Sequence, residues 1–308
     1  MSKKPLVAIT VGDPNGIGPE IAVKALEDKR VQDAVTPILI GDKSALLEQG
    51  FKEGTCMVVN TSAKTCRAKQ AIAGPSAEGG LSSFEAVAMA ARLVSKGEVK
   101  AMITGPVSKE SWHMAGINFT GHTEFLKHFA KVDNVLMMFV SGKLTVGLVS
   151  EHFAIRDLHK EITPKRIIRA TELLSKYLKQ FKKNPLIGVA AINPHAGDGG
   201  KLGYEEIEII KPAVAVLKKE GINVQGPLPV DSLWQKHAKG AFDGIICMYH
   251  DQAMLGLKLA AKEPIVHITY GLPFMRTSPT HGTAFDIAGN HEADPASMIA
   301  AILKAADK

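Results

Sequence analysis

Cysteine is scarce in this chain of 308 residues, which carries only Cys56, Cys66 and Cys247 and no CxxC pair. An odd count without paired spacing argues against a disulfide framework and against a thiolate metal site. Long hydrophobic runs are missing too: no stretch approaches the ~18 apolar residues of a membrane span. The short run "LVAIT" is broken at once by "VGDPNG", so it reads as a first strand and not as a signal peptide. A cytoplasmic location is the default expectation. Charge of one sign is not concentrated either. There are 37 Lys and Arg against 31 Asp and Glu, a formal +6, with no arginine-rich block or basic-aromatic array. Such a balance gives no support to a nucleic-acid surface but suits an anionic small substrate. The 16 prolines and 28 glycines are dispersed, with no low-complexity segment and no internal repeat.

What is there is alternation. Short apolar runs at 5–10, 35–41, 54–60, 99–105, 186–192 and 243–249 read as strands. Between them, 18–28, 42–50, 82–98, 163–181 and 205–220 read as helices. The 82–98 helix places Phe84, Val87, Ala91 and Val94 at helical spacing, with serine at its start. The stretch 134–150 differs, because two apolar runs separated by "SGK" make a hairpin. The pattern predicts an α/β fold with a mostly parallel sheet and some antiparallel strands. So many elements imply two α/β lobes with the active site in the cleft between them.

Three of these strands end in a histidine. His152 follows "LTVGLVSE", His195 follows "LIGVAAINP" and His250 follows "DGIICMY". Ligands of open α/β sheets gather beyond the carboxyl ends of strands, where loops converge. Three imidazoles brought there would hold a divalent metal with open positions, the catalytic arrangement. Asp251, beside His250, could orient an imidazole or complete the shell. Spacing alone also fits three ordinary strand-end turns.

Other loops carry weaker signals. "GDPNGIGPE" (12–20) lies between a strand and a helix, yet it has neither the dinucleotide fingerprint nor a lysine-serine pair. It is a tight turn or an active-site loop, in which Asp13 and Asn15 could hydrogen-bond a nicotinamide or a substrate. "GINFTGHTEFL" sets His122 and Thr123 ahead of a helix, with Thr123 as its cap or both as anion donors. "ITGPVSKE" ends a strand with Ser108 and Lys109. Lys258, in "KLAAKE", reads as part of a solvated face. Arg276 sits in the glycine- and proline-rich "YGLPFMRTSPTHGTAFD", where an exposed guanidinium suits phosphate or carboxylate.

Taken together, "GDPNGIGPE", "ITGPVSK", "FTGHTEF", "NPHAGDGG", "MYHDQ", "GLPFMRTS" and "HGTAFDIAG" resemble, in this order, the 4-hydroxythreonine-4-phosphate dehydrogenase family of vitamin B6 biosynthesis. The resemblance implies an isocitrate/isopropylmalate dehydrogenase-like fold. One lobe would take both chain ends (1–125 plus 266–308) and the other the middle (126–265). It also implies metal ligation by His152, His195 and His250, and substrate contacts from His122, Thr123, Lys258 and Arg276. The implied cofactors are NAD or NADP and one divalent ion, whether zinc, magnesium, cobalt or manganese. The implied assembly is a homodimer whose subunits share each active site. One position departs from the family: "VHIT" puts His267 where a substrate-contacting asparagine is usual. Relatives acting on D-threonate or D-erythronate 4-phosphate, or on aromatic cis-dihydrodiol carboxylates, share much of the pattern.

The implied chemistry is oxidation of a secondary hydroxyl by hydride transfer to nicotinamide, followed by loss of carbon dioxide from a β-keto acid. Lys109 and Asp251 are candidate base or relay groups. A metal-dependent phosphatase would use the same histidines on water, but it lacks a carboxylate-rich bridging site.

Overall fold

The computed structural model describes residues 4–61 and 74–307, so Cys66 lies outside the described residues. Its elements alternate as the apolar pattern predicts. They run β1 (Leu6–Thr10), α1 (Gly18–Glu27), α2 (Lys29–Ala34), β2 (Thr36–Gly41), α3 (Lys43–Glu48), β3 (Met57–Asn60), α4 (Ala77–Ser95), β4 (Ala101–Thr104), α5 (Lys109–Met114) and α6 (His122–Ala130). Then come β5 (Leu136–Ser141), β6 (Leu144–Leu148), α7 (Leu158–Glu161), α8 (Pro164–Leu178), β7 (Ile187–Ala190), α9 (Lys211–Lys219), β8 (Val224–Leu228), α10 (Val230–Ala238), β9 (Gly244–Cys247), α11 (His250–Ala260) and β10 (Val266–Tyr270). The chain closes with β11 (Met275–Ser278) and α12 (Ala296–Ala306). These elements form two compact units, one of Met1–Asp133 with Leu272–Lys308, the other of Asn134–Gly271.

The first unit holds five parallel strands in the order β3-β2-β1-β4-β11. Its inner strands β1 and β4 are buried on both faces, as parallel sheets require, while the edge strand β3 is partly exposed. Phe84, Trp112, Phe119 and Phe125 interlock beside them, with Phe84 and Trp112 edge to face at 5.4 Å. Helix α4 begins at Ala77, capped by Ser76, five residues before the serine run that the sequence pattern pointed to. Close packing of α5 explains the glycine at position 80 of this helix: a Cβ there would lie 1.9 Å from the Ser111 carbonyl oxygen.

The second unit orders its strands β10-β5-β6-β9-β7-β8. The predicted hairpin is β5 and β6, antiparallel with Ser141 opposite Leu144, and Gly142 takes the left-handed turn position at φ 53°. Antiparallel β10 flanks β5, whereas β6, β9, β7 and β8 are parallel neighbours. The carboxyl ends of β6, β9 and β7 therefore lie side by side on one edge. Among the described residues no helix is long and apolar enough to cross a membrane.

Candidate active site

Each unit carries its own cluster. In the first, β11 delivers Arg276 into the core, with only 2% of the residue exposed. This corrects the exposed loop that its glycine- and proline-rich neighbours suggest. The guanidinium donates from Nε and Nη2 to the Thr104 hydroxyl at 3.1 and 2.6 Å, at the end of β4. Burial pushes its pKa down to about 9, still on the charged side of neutrality. A charge so placed costs on the order of several kcal/mol unless acceptors compensate it.

Next to that charge stands His122, the first residue of α6. Burial first, and then the Arg276 charge, hold its imidazole well below the usual histidine range, so the ring is neutral at neutral pH. Part of the residue is open to solvent, yet its Nε2 is sealed from water and has no hydrogen-bond partner. Trp112 braces the ring edge-on at 5.8 Å. Thr123 is not the cap of α6. The cap position is Gly121, which offers no side chain, and Thr123 lies within the first turn. Glu124 instead reaches back to accept from the Thr120 amide and hydroxyl at 2.6 and 2.7 Å. The stem of Lys109 passes this helix start, its Cε being 3.6 Å from where a Gly121 Cβ would stand. Buried guanidinium, neutral imidazole and an uncapped helix start together offer positive charge and N–H donors of the kind that suit an anion.

Asp13 is buried and occupied. Its Oδ2 accepts from Ser111 Oγ at 2.7 Å and its Oδ1 from the Asn15 amide at 3.0 Å. The Asn15 side chain donates to Gly74 O and Ser76 Oγ at 3.1 and 3.0 Å. These bonds shape the glycine-rich turn, in which Gly12 has φ 86° and leaves no room for a Cβ beside the Pro106 carbonyl.

In the second unit, the histidines follow three adjacent parallel strands. His152 and His250 bring their ring centroids to 5.4 Å. Asp251 Oδ1 lies 2.8 Å from His250 Nδ1, so Nε2 is the nitrogen that this residue could offer to a metal ion. Two imidazoles sharing an ion at about 2 Å each adopt a comparable separation, so this pair fits a divalent metal. His195 lies on the same edge but does not close a trio. Among the described residues no three His, Cys, Asp or Glu side chains gather as a metal site.

His195 stands at the start of a left-handed loop. Residues 195 to 199 all have positive φ, including His195 at 52°, Ala196 at 54° and Asp198 at 42°. Left-handed backbone costs roughly 1–2 kcal/mol per non-glycine residue. Glu206 holds the entry to this loop, accepting from the Ile192 and Asn193 amides at 2.9 and 2.8 Å and from Asn193 Nδ2 at 3.0 Å. Burial alone would raise the Glu206 pKa, but those hydrogen bonds outweigh it and hold the carboxyl below its ordinary value.

His267, on β10, is buried and lies against its cross-strand partner Phe139, with ring centroids at 5.1 Å. Lys258 is exposed near the end of α11. Thr104, Trp112 and Glu206 escape sequence reasoning because nothing in their own neighbourhoods announces a contact with Arg276, His122 or the His195 loop.

The family model described as "Pyridoxal phosphate biosynthetic protein PdxA" matches residues 15–305. The chain belongs to this family. It is 38% identical to a 4-hydroxythreonine-4-phosphate dehydrogenase of Geobacter metallireducens, over 99% of this chain and 95% of that one. It is equally 38% identical, over 99% and 98%, to a protein of Oceanobacillus iheyensis that provisionally carries the name D-threonate 4-phosphate dehydrogenase. The crystal structure of the 4-hydroxythreonine-4-phosphate dehydrogenase of Klebsiella pneumoniae is similar with a TM-score of 0.84 at 32% identity, covering 98% of this chain and 97% of that one. As a PdxA-family member the chain is an enzyme, an NAD(P)-dependent oxidoreductase of the decarboxylating kind.

Proposed function

We propose that this enzyme oxidises 4-phosphohydroxy-L-threonine to 2-amino-3-oxo-4-phosphohydroxybutanoate, which then loses carbon dioxide to give 3-amino-2-oxopropyl phosphate. The observation that carries the reading is the buried Arg276 charge beside a neutral His122 whose Nε2 is sealed and unsatisfied. A phosphate meets both needs. Arg276 neutralises it, and the first turn of α6, with Thr123, donates to its oxygens. Lys258 supplies a further cation at the substrate. Lys109, in its neutral amine form, takes the hydroxyl proton, a role supported by the passage of its stem beside the same helix start. Asp251 keeps the tautomer of His250 fixed and serves as a relay.

NAD or NADP accepts the hydride, with Asn15 in the glycine-rich turn as the contact and Asp13 holding that turn in shape. A divalent ion, zinc, magnesium, cobalt or manganese, would be held by His152, His195 and His250 and would acidify the hydroxyl. The protein works as a homodimer, with the trio of histidines completed across two copies of the chain. Large apolar residues left in water support this: Phe153 and Ile155 after His152, Leu202 and Tyr204 after His195, Leu255 and Leu259 after His250.

A second substrate reading rests on His267. The buried ring beside Phe139 differs in charge and hydrogen bonding from the family's usual amide. It favours an acid without the amino group, D-threonate or D-erythronate 4-phosphate. Assaying the three phosphorylated acids with NAD and with NADP decides between them. Turnover of 4-phosphohydroxy-L-threonine with the highest kcat/KM supports the first reading, and preference for a sugar acid phosphate replaces it with the second.

A further inference from the structure

Between the strand ends that carry the histidines lies a buried hydrogen-bonded bridge. Gln252 is the third residue of α11, yet its side chain turns inward and only 9% of the residue is exposed. Its Oε1 accepts from the Met248 amide at 3.0 Å, at the exit of β9. Its Nε2 donates to the Ala191 carbonyl at 2.9 Å, at the exit of β7. Its own carbonyl accepts from Trp234 Nε1 at 2.7 Å, which fixes the first turn of the helix. On the other side, Ser150, fully buried, donates from Oγ at 2.8 Å and from its amide at 3.1 Å to the Met248 carbonyl. Met248 is thus gripped from both flanks, two residues before His250. Ser150 stands two residues before His152, and Ala191 four before His195.

We propose that Gln252 is a positioning residue that sets the spacing of the His250 and His195 strand exits, with Ser150 doing the same between His250 and His152. The proposal rests on the reading of these histidines as metal ligands. A side chain in this place must accept from an N–H and donate to a C=O at once, and glutamine does both without charge. The strands themselves stop short of the histidines; past their ends two backbone pairs, from the Val149 amide to the Cys247 carbonyl and from the Ser150 amide to the Met248 carbonyl, still hold β6 to β9, and the Gln252 side chain joins the exits of β9 and β7. Both bonded atoms are buried, so removing the amide leaves a donor and an acceptor without water.

The test is calorimetric titration of zinc into the metal-stripped full-length protein and its variants, with melting temperature measured on each. Gln252→Met keeps the shape and removes both bonds. Thr171→Val removes a buried hydroxyl that donates to Ile167 O within α8, remote from the strand exits, and serves as the stability control. The proposal expects Gln252→Met to bind zinc about 10- to 100-fold more weakly, with Thr171→Val unchanged. Should Gln252→Met fail to fold, Gln252→Glu retains the Met248 bond, sets a carboxylate oxygen against the Ala191 carbonyl, and is expected to weaken zinc similarly. Binding by a folded Gln252 variant within twofold of the parent overturns the proposal and leaves the metal reading standing. A parent protein that binds no zinc, magnesium, cobalt or manganese overturns both.

Discussion

His152 and His250 face each other with ring centroids 5.4 Å apart, beyond the ends of two neighbouring parallel strands. The pairing follows from topology, because β6 and β9 run side by side and each lets its histidine emerge on the same edge. Replacing either residue with alanine is expected to leave the fold intact and to remove bound divalent metal. Elemental analysis of the purified variants checks this, and full metal occupancy in either one contradicts the ligand assignment.

Arg276 offers a second test. Arg276→Lys keeps a buried cation but loses the fork that grips Thr104 and would grip a phosphate. Loss of one charge-assisted bond is worth about 1.5–3 kcal/mol. KM for the phosphorylated substrate should therefore rise roughly 10- to 150-fold, with a smaller change for the unphosphorylated acid. An equal change for both would remove phosphate from the account of this residue.

His122 gives a pH-dependent prediction. Its imidazole titrates well below the histidine reference of 6.5, because burial and the Arg276 charge oppose protonation. The unfolded chain takes up a proton near 6.5 while the folded chain resists, so stability is full above that pH and falls as pH drops below it. The comparison is melting temperature against pH for the parent and for His122→Asn. The variant should show a shallower fall below pH 6.5, and identical slopes would say that His122 is not shielded as described.

Much of the fold is legible in the sequence because period and punctuation agree. The hairpin over 134–150 is readable from two apolar runs and a glycine turn, and Val87, Ala91 and Val94 do face the core of the first unit. What failed was contextual. Arg276 occupies a four-residue buried strand, and its flanking glycines and prolines hide that strand. Gly79 and Gly80 lie ahead of the helix start expected at 82, although close packing of α5 on α4 requires glycine at 80 inside a helix. Thr123 has the chemistry of a cap but stands two residues past the cap position, Gly121. The strand-end histidines were visible one by one. The left-handed run from His195 onward was not, since no periodicity encodes six consecutive positive φ values.

Glu206 should reveal how that run is maintained. Glu206→Gln turns one accepting oxygen into a donor facing the Asn193 amide group, and is expected to cost about 1–3 kcal/mol. Hydrogen exchange should rise at 192–200 more than elsewhere in the second unit. Because the native carboxyl titrates below its usual 4.5, its contribution is present above that pH and fades as pH falls through the folded value. Uniform exchange across the unit would deny it a local role.

Reaction stoichiometry addresses the central claim most directly. The purified protein is given 4-phosphohydroxy-L-threonine, NAD or NADP and a divalent metal, and three products are counted together: reduced nicotinamide, carbon dioxide and inorganic phosphate. The account predicts one reduced nicotinamide and one carbon dioxide per substrate consumed, with the phosphate ester retained, and no turnover after chelation. Release of inorganic phosphate without reduction of the nicotinamide would contradict it.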